Sequence, residues 1–202
     1  MDIPINAVIK CAGQVCGHST HIILNPTNDV VTHVVVRRSE FPGEEVLVPV
    51  NMIVDSAPDE IRLRCTDEDL KDMQSFVKLE FVEPTVPLMI AQGYMMWPYS
   101  VPEEGIVTLR EERIPPNELA VRRGTPVEAS DGRVGQVDEF LIDPTTQEIT
   151  HLILREGHLW GKKDVTIPVT QIDHIDAQAV HLKLNKQEVE GLPTVPVRHS
   201  AE

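Results

Sequence analysis

Apolar residues recur along this chain with the period of a strand. Ile61, Leu63 and Cys65 alternate with Arg62 and Arg64, as Val180, Leu182 and Leu184 alternate with His181 and Lys183, so both segments predict half-buried strands. The words VTHVVVR, from Val31, and ITHLILR, from Ile149, are β-branched or Leu-rich runs typical of strands. Each follows a polar NPTND or DPTTQ stretch, in which Asn or Asp before Pro favours a turn, and an earlier apolar segment. Two antiparallel hairpins are therefore expected. In the second, Val134, Val137, Phe140 and Ile142 alternate imperfectly with Asp138 and Glu139, the mark of a bulge. Pro49 and Pro168 place the strands Val46–Val50 and Val165–Val169 at an edge, an end or a bulge. Thr66 with Asp69, and Asn185 with Glu188, put a side-chain acceptor at a helix cap and an acid three residues on.

These elements occur twice in the same order. GHSTHIILNPTNDVVTHVVVRR from Gly17 matches GQVDEFLIDPTTQEITHLILRE from Gly135, bringing Pro26/Pro144, His33/His151 and Arg37/Arg155 into register. The register then slips by one residue, and the surplus residue falls in the loop 157–164 of the second copy, because loops absorb insertions at little energetic cost. The expected organisation is all-β with minor α: two tandem small barrels with short terminal helices, at 1–82 and 117–197, a Pro-rich apolar connector at 83–116, and a tail at 198–202. The connector holds Tyr94, Met95, Met96 and Trp97 in an apolar word unlike a solvated linker, so it is expected to pack on the barrels, on a like chain in a homodimer, or on a partner.

Charge narrows the function classes. A formal net charge of -14, spread along the chain, disfavours nucleic acid and anionic membranes as partners, since both are held by clustered Lys and Arg. The apolar runs are too short for a membrane span and the start lacks a secretory pattern, so a soluble cytoplasmic protein without membrane insertion is expected. The three cysteines, Cys11, Cys16 and Cys65, read as reduced, buried thiols.

Candidate chemistry is sparse. His33 and His151 stand at equivalent places before strand residues, where a ring bonded near the hairpin turn is expected. Cys11, Cys16, His18 and His21 could cluster, but Gln136 and Glu139 replace the histidines in the second copy, so no metal is assigned. The serines lack a nucleophile-elbow context and the glycines form no phosphate-binding pattern; no catalytic residue and no cofactor are expected. The sharpest interaction feature is the loop 156–164, where Leu159 and Trp160 precede Lys162 and Lys163, an aromatic anchor beside local positive charge.

The words GRVGQVDEFLIDPTTQEITHLILREG and KDVTIPVTQI resemble the PRC-barrel family, and the first copy follows the same pattern with Cys16 for Val134 and Asn25 for Asp143. The resemblance implies SH3-like barrels, similar to the cytoplasmic part of the photosynthetic reaction centre H subunit and to the barrel of a ribosome-maturation factor. It implies a non-enzymatic protein-interaction or assembly module of the kind associated with photosynthetic or electron-transport complexes, with a protein partner of unknown identity. The rival readings are a small metal- or cofactor-dependent enzyme using a cleft between barrels, and a ribosome or RNA-maturation accessory protein.

Overall fold

The computed structural model describes residues 1–40, 42–82, 107–156 and 164–195. The first half contains β1 (Asp2–Pro4), β2 (Val8–Cys11), β3 (Gln14–Asn25), β4 (Val30–Arg38), β5 (Glu45–Pro49), β6 (Ile53–Ala57), β7 (Glu60–Leu63), α1 (Asp67–Lys71) and β8 (Val77–Val82). The second contains β9 (Val107–Glu112), β10 (Leu119–Arg122), β11 (Pro126–Ala129), β12 (Gly132–Ile142), β13 (Ile149–Glu156) and β14 (Asp164–Pro168). It ends with β15 (Ile172–Ile175), β16 (Val180–Leu182), α2 (Lys186–Glu190) and β17 (Thr194–Val195). The fold is all-β with minor α. No helix among the described residues is long and apolar enough to cross a membrane.

One topology is written twice. The order β5-β4-β3-β2-β7-β6 in the first sheet is repeated as β14-β13-β12-β11-β16-β15 in the second, with β17 added beside β14. Both long hairpins form at the expected turns: the Asn25 side chain accepts from Thr27 N at 2.9 Å, and Asp143 accepts from Thr145 N at 2.7 Å. The expected bulge in β12 lies between Val137 and Glu139, and β3 carries its counterpart between Ser19 and His21. Thr66 and Asn185 cap their helices in reciprocal capping boxes with Asp69 and Glu188.

The halves also exchange strands. β1 pairs with β12, setting Ile3 opposite Phe140, while β10 pairs with β3, setting Val121 opposite Ile22. In the register that lays Gly17 on Gly135, Ile3 corresponds to Val121 and Ile22 to Phe140, so the two exchanges are the same contact made in both directions. Between them lies a bridge of Val30 to its own counterpart Glu148. It is flanked by Val31 N donating to Gln147 O at 3.0 Å and Ile149 N donating to Asp29 O at 2.7 Å, again equivalent pairs. This is the pattern of a pseudo-twofold axis. One continuous core results, in which Ile3, Ile22, Val121 and Phe140 are at most 1% exposed.

The run Val34–Val36 is apolar at every position because both faces of the first sheet are covered. Val34 and Val36 enter the shared core, whereas Val35 packs with Ile23, Leu47 and Phe76 in a second, smaller cluster. Phe76 precedes the β8–β9 ribbon, which is antiparallel from Val77 opposite Glu112 to Val82 opposite Val107. The late part of the Pro-rich connector therefore forms a strand. The prolines at 115 and 116 follow the ribbon and leave its ladder intact.

The cysteines depart from the sequence reading. Cys11 and Cys16 are joined by a disulfide across the β2–β3 hairpin, at a Cα separation of 5.9 Å, and only Cys65 is a free thiol, buried. A count of cysteines contains no cross-strand distance, whereas the bulge between Ile9 and Lys10 sets these two within disulfide reach.

Candidate functional site

The exchanged strand β10 forms one wall of a polar cavity of about 460 Å³ on the first sheet. His21 from β3, Arg37 from β4, Glu45 from β5, Glu112 from β9 and Arg122 from β10 line it, so five strands each contribute an ionisable side chain. His21 is placed by the β3 bulge and by its pairing with Arg122. Its ring leans on Phe76 at 5.1 Å and its Nδ1 meets Thr20 Oγ1 at 3.0 Å. Burial pushes the imidazole below its ordinary value, opposed by the carboxylates of Glu112 and Glu45 and assisted by the Arg122 and Arg37 guanidiniums. The fold thus favours the neutral ring over the charged one. Arg37 donates through Nε and Nη2 to Glu45 Oε1 at 3.0 and 2.7 Å.

Below the cavity Ser19 is fully enclosed. Its hydroxyl donates to Pro4 O at 2.9 Å and accepts from Ala7 N at 2.9 Å. Those two bonds tie the segment between β1 and β2 to the bulged strand and aim β1 toward the other sheet. The sequence offered no sign of this beyond a serine outside any catalytic motif. Thr125 lies near the corresponding place and is also buried.

The second sheet builds the same corner from different residues. Glu139 occupies the position of His21, with Asp138, Arg155 and Asp164 around it. Arg155 Nη2 donates to Asp138 at 2.7 Å, and Arg123 Nε reaches the same carboxylate at 2.7 Å. Burial, reinforced by the charges of Asp2, Asp138 and Asp164 and opposed by Arg123, pushes the Glu139 carboxyl up from 4.5 to about 7. The folded chain therefore binds this proton more tightly than the unfolded chain does. The stability it contributes is fully present below pH 4.5 and is lost as pH rises through about 7. Glu139→Gln should flatten that part of the profile and stabilise the chain at pH 8 by about 1–2 kcal/mol, after discounting for partial exposure. Urea unfolding of both chains from pH 4.5 to 8.5 checks this; parallel profiles would refute it.

The other sequence-predicted residues are distributed as follows. His33 and His151 bond through Nδ1 to the preceding Thr32 and Thr150 at 3.0 and 3.1 Å, beside the hairpins as expected. Thr32 also donates to Glu118 Oε2 at 2.8 Å, which ties β4 to the segment before β10. His18 is exposed, and the Cys11 and Cys16 sulfurs are spent on each other, so the possible Cys/His cluster is not assembled. Leu159, Trp160, Lys162, Lys163, Tyr94, Met95, Met96 and Trp97 lie outside the described residues.

Residues 123–189 match the family model of the PRC-barrel domain, and this span runs from just before β11 into α2. No curated protein matches the chain. The strand order, the bulged long hairpin and the start of the capped helix fall inside the matched span, and residues 123–189 of this chain are similar to a PRC-barrel domain.

Proposed function

We propose that the chain is a tandem PRC-barrel protein that serves as a non-enzymatic docking and assembly module. The reciprocal strand exchange carries this reading. Pairing of Ile3 with Phe140 and of Val121 with Ile22 holds two sheets of one topology in a single geometry, while their corners have diverged to His21 in one and Glu139 in the other. A rigid frame presenting two different surfaces suits holding a protein partner in place. The partner belongs, in this reading, to an electron-transport or photosynthetic assembly, by likeness to the role the family plays in the reaction centre. The loop with Leu159, Trp160, Lys162 and Lys163 and the word Tyr94–Trp97 supply the anchors, because buried aromatics dominate binding energy at interfaces.

The test is capture from the native cells with the tagged full chain, alongside its Trp160→Ala and Trp97→Ala variants. We expect one protein to be retained in stoichiometric amount, its affinity falling on the order of thirtyfold with one of the two substitutions while circular dichroism and melting temperature stay unchanged. Retention of no protein, or undiminished retention by both variants, contradicts the reading.

A further inference from the structure

The geometry points to a divalent transition-metal site of the zinc type, formed by His174, Asp176 and His181 on the β15–β16 hairpin of the second sheet. This inference does not rest on the docking reading. The two histidines are register partners on neighbouring strands, with ring centroids 4.3 Å apart and planes inclined by 12°. Asp176 lies in the connection between those strands. One ligand atom from each of the three residues lies within 4.8 Å of the others, a spread that small side-chain rotations would close around one ion.

The surrounding contacts prepare these atoms. Asp176 Oδ1 accepts from Gln178 N at 2.7 Å and Ala179 N at 2.9 Å, which locks the carboxylate and leaves Oδ2 directed at His181 Nε2, 3.1 Å away. Asp173 Oδ2 sits 2.9 Å from His174 Nδ1, and Glu128 Oε2 sits 3.7 Å from His181 Nδ1. Each imidazole thus has a carboxylate near Nδ1, and His181 presents its Nε2 to Asp176. A carboxylate behind the ligating ring fixes its tautomer and orientation and raises its basicity, the arrangement that supports histidine ligands in metal centres. Two imidazoles and one carboxylate suit zinc, copper or nickel better than magnesium or calcium, and leave a position for water or an incoming ligand.

The first sheet shows what this hairpin is without such chemistry. At the equivalent positions Asp55 and Arg62 are register partners joined in an ion pair, Ala57 replaces Asp176, and Val54 replaces Asp173. Lys10, the counterpart of Glu128, pairs with Glu60 at 2.6 Å. The first hairpin therefore balances its own charges. In the second, both cations of that face are replaced, Lys10 by Glu128 and Arg62 by His181, while the acids Asp55, Asp59 and Glu60 give way to His174, Gln178 and Ala179 and others stand at Asp173 and Asp176. The change removes the cations and leaves negative charge around two imidazoles, where a divalent cation compensates it.

Zinc chloride titrated into the purified, metal-stripped full chain, with its disulfide intact, tests the site by calorimetry and thermal melting. We expect one zinc per chain with a dissociation constant on the order of micromolar, and a melting temperature that rises with zinc concentration. His174→Ala and His181→Ala should each weaken binding at least tenfold and abolish the thermal shift. His18→Ala, an exposed histidine on the other sheet, should leave both unchanged. Circular dichroism verifies that the variants fold. Absence of saturable binding, or binding that survives both His174→Ala and His181→Ala, overturns the proposal.

Discussion

Phe140→Ala should lower the unfolding free energy by about 3–5 kcal/mol, the cost of removing a buried aromatic ring and leaving its cavity. The loss should fall on both sheets together. Phe140 is fully buried in the core that both halves share, with Ile3 of the first half opposite it on β1 and Leu152 opposite it on β13. Removing the ring loosens the second sheet and the strand by which the first half is anchored to it. Because the mirror contact of Val121 with Ile22 depends on the same closed arrangement, the molecule has no cheap way to open one half alone. A single cooperative transition, shifted as a whole to lower urea, is the expected observation.

Adding one methyl group at Gly17 or Gly135 should cost about 3 kcal/mol, at the upper end of what overpacking usually does. A Cβ at Gly17 would stand 2.3 Å from Arg37 O, and one at Gly135 would stand 2.5 Å from both Arg155 O and Leu154 Cδ1. The obstacle in each case includes the backbone of the paired strand, which no rotamer change relieves. These two glycines lead the two copies of the repeat, and close strand-to-strand approach is the physical reason. Gly13→Ala is the control: its φ of +87° makes alanine strained, but the space around it is open, so about 1 kcal/mol is expected. Urea midpoints of the three alanine variants check the order; equal losses at all three positions would contradict it.

The parts of the fold that rest on local chemistry were legible in the sequence. Asn25 and Asp143 make turns through their own side chains, Thr66 and Asn185 close capping boxes, and alternation at Ile61–Cys65 marks a strand, all within a few residues. The bulge at Glu139 showed in the pattern because one extra residue shifts every later side chain to the other face. The strand exchange was not legible. Asp2–Pro4 is too short to carry a period, and its partner lies more than a hundred residues away, so no local preference separates pairing with its own sheet from pairing with the other. The Cys11–Cys16 bond and the His174–His181 stack depend in the same way on cross-strand register. His181 shows in the sequence only as a polar position of one alternating strand and no pattern marks His174; the signal that could have found them is their alignment with Asp55 and Arg62 of the first copy.

Residue-resolved amide hydrogen exchange of the wild-type chain and of Phe140→Ala, read at Val34 in the first sheet and Leu152 in the second, tests most directly whether the halves are one body. Both amides should accelerate by the same factor, on the order of 10² to 10³, because both open only with the whole molecule. Acceleration at Leu152 with Val34 unchanged would show two independently opening halves and contradict the account.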